Sequence, residues 1–374
     1  MLAALCFTVV LLVTTAYFVM GSVPLLVLKH DTALDSRFVR SFFSTYYLAA
    51  MLTAAATAVS YAIAGRPAFA TGAVGLAILA AALRHGPGQS DLPYSRVMFD
   101  DLSRDFVVVG WDQRGTGKSS AALDPVSALT LNQAVADTLE LSQYLRNRFD
   151  EKKIYLMGES WGSTLGVLAV QRQPELYYAW IGSGQMVSQR ETDRRLYQDV
   201  LALADLNGDV ETVKTMRAFG EPPYADIPYA NAFVMGQYDR LYKPYTPPQA
   251  YMTKGNAAKL GPYGVLASEY NFVEKFNVLR GLLDMFSIMY PQLQEIDFRR
   301  DVPRLEVPVY ILDGQAELTA RRNLALEWFD KLEAPSKRMF SFENAAHSVA
   351  FEQFEAFHKL MLDTVLPETY VPVR

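Results

Sequence analysis

Cysteine is nearly absent from this chain of 374 residues: the single Cys6 lies inside an apolar run, so there is neither a disulfide framework nor a cysteine-based zinc site. Histidine is scarce too. His30, His85, His347 and His358 are scattered along the sequence, which offers no clustered metal ligands and leaves only four side chains to consider as a catalytic base. Nor is there an excess of positive charge. A net charge of −5 and a pI of about 5.5 provide no basic stripe to neutralise a phosphate backbone, so no nucleic-acid partner is expected. No cofactor or metal is implied, and the length allows a substantial core without either.

Charge of both signs is missing from Met1 to Leu28, a stretch long enough to cross a hydrocarbon core of ~30 Å at ~1.5 Å per helical residue. A polar segment with Lys29, Arg37 and Arg40 follows, then a second uncharged run from Ser41 to Ala64 and a third, Ala-rich one from Ala68 to Leu83. Before Leu2 there is no positive region, and near Gly21 no small-residue cleavage site, so a membrane anchor is the better reading than a signal peptide. Residues 1–84 are therefore expected to be a membrane-spanning segment of two or three transmembrane helices, in contact with a lipid bilayer. The basic loop is cytoplasmic by the positive-inside rule. Three crossings put the remainder of the chain in the cytoplasm and two put it outside, a choice the sequence leaves open along with the oligomeric state.

From Arg84 onward apolar strand-like runs alternate with helix-like ones, the pattern of a parallel α/β sheet. Strands are expected at Phe106 to Trp111, Lys153 to Met157, Tyr178 to Ile181, Val307 to Leu312 and Arg338 to Phe342. Helices are expected at Leu131 to Phe149, Trp161 to Arg172, Arg321 to Leu332 and Phe351 to Leu362. Between Met186 and Arg300 the alternation gives way to helical patterns and Pro/Tyr-rich loops, which read as an inserted cap. Residues 85–185 and 301–374 would then form the core and 186–300 the helical cap.

The strongest motif is Gly158-Glu159-Ser160-Trp161-Gly162, placed directly after one expected strand and before one expected helix. That context makes G-x-S-x-G a nucleophile elbow, a tight turn thought to need glycine neighbours, with the serine hydroxyl exposed at a helix N-terminus. Ser160 is the candidate nucleophile, and the Trp161 amide a candidate oxyanion donor. His347, between the last expected strand and helix, has the late position such a base takes. His358 sits mid-helix, where an ordinary paired histidine is expected, and His85 precedes the serine. The acid should follow Val307 to Leu312, where Asp313 and Glu317 both qualify. Gly115-Thr116-Gly117-Lys118-Ser119 looks like a phosphate loop but fails on spacing, because Asp112 stands where glycine is needed.

Three stretches, Asp112 to Ser119 (DQRGTGKS), Gly158 to Gly166 (GESWGSTLG) and His85 to Ser90 (HGPGQS), resemble the proline iminopeptidase family of α/β-hydrolases from about Arg84 to the C-terminus. The resemblance implies an α/β-hydrolase sheet with a helical cap, entered near Ile181 to Gln185. It puts Glu317 at the position of the family's acid, makes the Gly86 amide the second oxyanion donor, and treats Asp112 and Arg114 as a local ion pair in a structural turn. It also implies an aminopeptidase acting on a small peptide through an acyl-enzyme, with cap acids such as Glu191, Asp193, Glu221 and Asp226 near the substrate amine. Tyr224, Tyr229, Phe233 and Tyr238 suit an ester as well, or ordinary packing. The family's polar N-terminal strands are missing here. The slot of the central strand is left to Leu76 to Leu83, either a strand or a membrane helix, and a catalytically impaired domain with a binding or structural role is the alternative.

Overall fold

The computed structural model describes residues 92–123, 129–225, 227–241, 245–260 and 264–370, with helical residues at 6, 8–10 and within 53–64. The segment proposed to span a membrane, Gly86 and the slot at 76–83 thus lie wholly or largely outside the described residues. Among the described residues no helix is long and apolar enough to cross a membrane. The chain divides into two compact units, residues 1–89, 112–128 and 268–284 in one and residues 90–111, 129–267 and 285–374 in the other.

The larger unit begins with α1 (Leu92–Met98) and contains α2 (Leu131–Phe149), a helix started by Thr130, whose side chain accepts from the Gln133 amide. Four parallel strands follow in the order β1-β2-β3-β4: β1 (Ile154–Glu159), β2 (Tyr177–Ser183), β3 (Val309–Gly314) and β4 (Lys337–Phe342). Glu159 pairs with Ser183, Ser183 with Leu312 and Gly314 with Phe342, so the C-terminal ends of β1 to β4 come out together along one edge. α3 (Trp161–Arg172) returns the chain from β1 to β2. Between β2 and β3 run α4 (Gln189–Leu206), α5 (Val210–Phe219), α6 (Ile227–Met235) and α7 (Gln249–Ala257), then α8 (Phe272–Leu293), which starts in the smaller unit. α9 (Thr319–Lys331) joins β3 to β4.

Side chains from α2, α3, α9 and the inner strands form the main core, in which Trp180, Val309, Ile311 and Trp328 are essentially inaccessible. Helix α3 lies close on β2 because of glycine. A Cβ on Gly166 would stand 2.2 Å from the Trp180 ring, and one on Gly158 2.6 Å from it. Such an approach cannot be relieved when the neighbour is a buried indole, so both positions need a residue without a side chain.

Two expected elements differ. Phe106 to Trp111 is not a strand. Its exposure alternates residue by residue as in extended chain, with Val107 67% and Val109 46% exposed, but nothing among the described residues forms a ladder with it, and without a ladder an apolar alternating run has no strand hydrogen bonds. The helix expected from Phe351 to Leu362 is broken at Gln353, whose backbone leaves the helical region (φ −116°, ψ 43°) while its side chain donates to the Asn344 carbonyl. The pieces are Val349–Glu352, α10 (Phe354–Leu360) and a π turn, Met361–Val365.

In the smaller unit the DQRG turn is held from several sides. Asp112 accepts from the Lys118 amide and, at 2.8 Å, from the Tyr270 hydroxyl, and the Asn277 amide donates to Ser120. Gly117 has a positive φ of 43°, and a Cβ there would lie 2.4 Å from the Asp112 carboxylate. The Lys118 ammonium is paired with Glu274.

Candidate active site

β1 ends on Glu159 and α3 begins at Trp161, so Ser160 alone makes the turn. It does so with φ 53° and ψ −123°, a conformation that costs a non-glycine residue free energy and persists only where its surroundings impose it. Here the Ser160 amide donates to the Ser183 carbonyl at 3.2 Å, and the Ser160 carbonyl accepts from the Ser163 amide and hydroxyl. Gly158 is required because its Cβ would also lie 2.3 Å from the Gly162 carbonyl oxygen. Gly162 itself would meet no described atom within 4 Å, so of the two flanking glycines one is demanded by packing and the other is not. Trp161 is the first residue of α3, where backbone N–H groups point out of the helix start.

The Nδ1 of His347 makes a short hydrogen bond with Glu317 Oε2, while Glu317 Oε1 accepts from the Leu318 amide at 2.7 Å. Glu317 is only 8% exposed. Burial works to raise its carboxyl, but the His347 ring, the Arg321 guanidinium and the Leu318 amide outweigh that and hold it below the usual carboxylate range. Asp313 is engaged otherwise. It forms a two-pronged pair with Arg322, both contacts at 2.8 Å, and accepts from the Ser341 hydroxyl, so of the two acids only Glu317 is bound to the histidine. His358 pairs with Asp105 at 2.8 Å, an ordinary surface contact.

The serine turn and the histidine loop meet over Ser183 and Gly184, at the end of β2. The Ser183 hydroxyl donates to Glu159 and accepts from the Ala350 amide, tying the elbow to the segment after His347. Gly184 has φ 53°, and a Cβ there would stand 2.9 Å from the ring atoms Cε1 and Nδ1 of His347, so the imidazole lies directly on backbone. Gly314 does the same for the loop, since a Cβ would fall 2.0 Å from the Ala346 carbonyl oxygen. Below the loop Glu352 accepts from the Ala346 amide and from the Tyr245 hydroxyl, both at 2.7 Å. None of Ser183, Gly184 and Glu352 was picked out individually from the sequence. Only Ser183 and Gly184 carried a signal, through their place in the I-G-S-G-Q stretch.

The acids of the 186–300 stretch separate clearly. Glu191 is paired with Arg194 and Arg195, and with Glu221 it lines a cavity of about 390 Å³ that none of Ser160, Glu317 and His347 borders. Asp193 is buried, accepts from the Gln189 side chain, and is pushed up to about 7, chiefly by burial. Asp226 and the Tyr229 side chain lie outside the described residues. Tyr224 belongs to a second core cluster with Phe233 and Tyr238 packed against it. Among the described residues no group of His, Cys, Asp and Glu could hold a metal ion.

A strained serine between parallel strand and helix, together with an imidazole bound to a carboxylate from the loop after β3, is the arrangement of the α/β-hydrolase fold. The chain is similar in part to known hydrolases. Residues 79–210 match the family model described as serine aminopeptidase, S33. The chain is 28% identical over 281 residues to the probable aminopeptidase YbaC of Bacillus subtilis (strain 168), an alignment covering 74% of this chain and 85% of that protein. It is 31% identical over 117 residues to the probable proline iminopeptidase of Leptolyngbya boryana, covering 31% and 34% respectively. The solved structure of a proline iminopeptidase from Mycobacterium smegmatis aligns at 17% identity and a TM-score of 0.48, covering 76% of this chain and 88% of that one.

Proposed function

We propose that the protein is a serine hydrolase that cleaves an amide or ester bond through an acyl-enzyme, most specifically as an aminopeptidase of the proline iminopeptidase type. The observation that carries this reading is the buried Glu317–His347 pair set over Gly184, next to the residue that receives the Ser160 amide. In the proposed reaction His347 takes the Ser160 proton as the oxygen attacks the substrate carbonyl, and Glu317 stabilises the imidazolium that forms. The Trp161 and Gly86 amides hold the oxyanion. His347 then protonates the leaving amine or alcohol, and water, deprotonated by the same histidine, releases the acyl group and restores the serine. The aminopeptidase assignment draws support from the family model and from the B. subtilis protein.

The same reading places residues 1–84 in a bilayer. The described residues of the first two apolar runs support it by being inverted relative to a water-soluble helix pair. Thr57 and Tyr61 are buried and the Thr8 hydroxyl donates to Tyr61 at 3.0 Å, whereas Val9, Val10, Val59 and Ile63 are 50–83% exposed. One hydroxyl contact between the two helical stretches, with apolar side chains outside, suits a lipid surrounding.

The test is hydrolysis of aminoacyl p-nitroanilides and p-nitrophenyl esters by detergent-solubilised protein beside Ser160→Ala. Turnover lost in the variant supports the proposal, and preference for a prolyl anilide supports its finer part. Turnover equal in both proteins contradicts the acyl-enzyme. Absence of turnover in folded wild type with every substrate favours an impaired domain.

A further inference from the structure

Glu317 raises an electrostatic problem. It is buried, and the histidine it binds must be neutral when it acts as a base, so at that step His347 brings no full charge to offset the carboxylate. Among the described residues the permanently charged group beside Glu317 is Arg321, in the first turn of α9, with Nη1 3.7 Å from Oε1. The arginine is itself held in place. Nη2 donates to the Tyr238 hydroxyl at 3.0 Å and the guanidinium lies 4.9 Å from the centroid of that ring, so a residue from the stretch between β2 and β3 fixes the cation against the acid.

We propose that Arg321 is a positioning residue for the Glu317–His347 pair, keeping the carboxylate ionised while the imidazole is neutral, and that Tyr238 pins it there. The proposal rests on reading Ser160, His347 and Glu317 as one triad. Two other charged groups bear on the balance. Asp193 on α4 interacts electrostatically with Arg321 and draws on its charge when ionised, and Arg322, next along α9, is neutralised by Asp313. The phenols of Tyr238 and Tyr290 remain protonated, with burial the largest cause in each.

The experiment is the rate of fluorophosphonate labelling from pH 4.5 to 9 for wild type, Arg321→Gln, Arg321→Lys, Tyr238→Phe and Asp193→Asn, with circular dichroism and melting as controls of folding. Loss of the cation favours proton uptake by the pair. The acid limb in Arg321→Gln should therefore move to higher pH by roughly 0.7 unit, the shift that one charge about 4 Å away produces in a water-like setting, and by up to about 3 units in a partly buried one. Arg321→Lys should return the limb most of the way, since charge and not fork geometry is used at 3.7 Å. Tyr238→Phe, which keeps the ring and loses the hydroxyl, should shift it partially, and Asp193→Asn should leave it in place or lower it. A folded Arg321→Gln with the wild-type limb, or a lysine variant no better than the glutamine one, would overturn the proposal. Should Arg321→Gln fail to fold, an unmoved limb in Tyr238→Phe refutes the pinning and a displaced limb in Arg321→Lys refutes the charge role. Wild type that does not label at all, or Ser160→Ala that labels as fast, would instead overturn the triad reading beneath it.

Discussion

Two carboxylates stand four residues apart at the end of strand β3 and just beyond it, and exchanging each for its amide separates the work of charge at the histidine from the work of charge in the scaffold. Glu317→Gln keeps the shape and an acceptor for His347 but removes the charge facing the imidazolium as it forms. Opposite charges at about 4 Å in a partly buried site interact by roughly 4 kcal/mol, which corresponds to a loss of about 10³-fold in kcat. KM should change little, because the charge matters chiefly when the imidazole is protonated. Asp313→Asn dissolves the two-pronged pair with Arg322, which is partly exposed, so a stability cost of about 1–2 kcal/mol is expected together with activity within about threefold of wild type. Steady-state kinetics on a chromogenic substrate and urea denaturation of the same preparations read both quantities. A larger loss of kcat in Asp313→Asn than in Glu317→Gln would refute the assignment of the acid.

Two further predictions concern stability. Asp193 has a folded-state pKa of about 7 against 3.8 when exposed, so between those values the folded state keeps a proton that the unfolded state has released, and stability falls as pH rises through that window. Asp193→Asn should flatten this slope and stabilise the protein at pH 8 by an amount on the order of a few kcal/mol, measured by urea midpoints at pH 5.5 and 8, and an unchanged slope would contradict it. Gly166→Ala should destabilise by about 2 kcal/mol, because overpacking against the Trp180 ring outweighs the gain of about 1 kcal/mol in helix propensity. A variant as stable as wild type would show that α3 can move away from β2.

Much of the sheet was legible in the sequence because buried parallel strands are short apolar runs and their connecting helices are amphipathic, and each of these patterns is local. Leu131 to Phe149 and Trp161 to Arg172 are helices with those bounds, and β1 to β4 fall on four of the five expected runs. The fifth, Phe106 to Trp111, has the alternation of a strand, but pairing depends on a second segment, which no local pattern reports. Ser160 could be found because strand, serine and helix are contiguous. Choosing between Asp313 and Glu317 on spacing alone was not possible, since the answer lies in which acid Arg322 occupies. The glycines make the same point. Gly158, Gly162 and Gly166 read alike, yet two of them face Trp180 and one meets no described atom. Glu352 and Arg321 were invisible because each acts through a tertiary neighbour, Ala346 in one case and Tyr238 in the other.

The central claim is that Ser160 is a nucleophile activated by His347. Its most direct test is mass spectrometry of the solubilised protein after fluorophosphonate treatment, with the adduct located by peptide mapping in wild type and in His347→Ala. The account predicts one adduct per chain, on the peptide containing Ser160, formed at least about 10³-fold more slowly when His347 is absent. An adduct on another residue, or labelling of Ser160 at the same rate without His347, would contradict it.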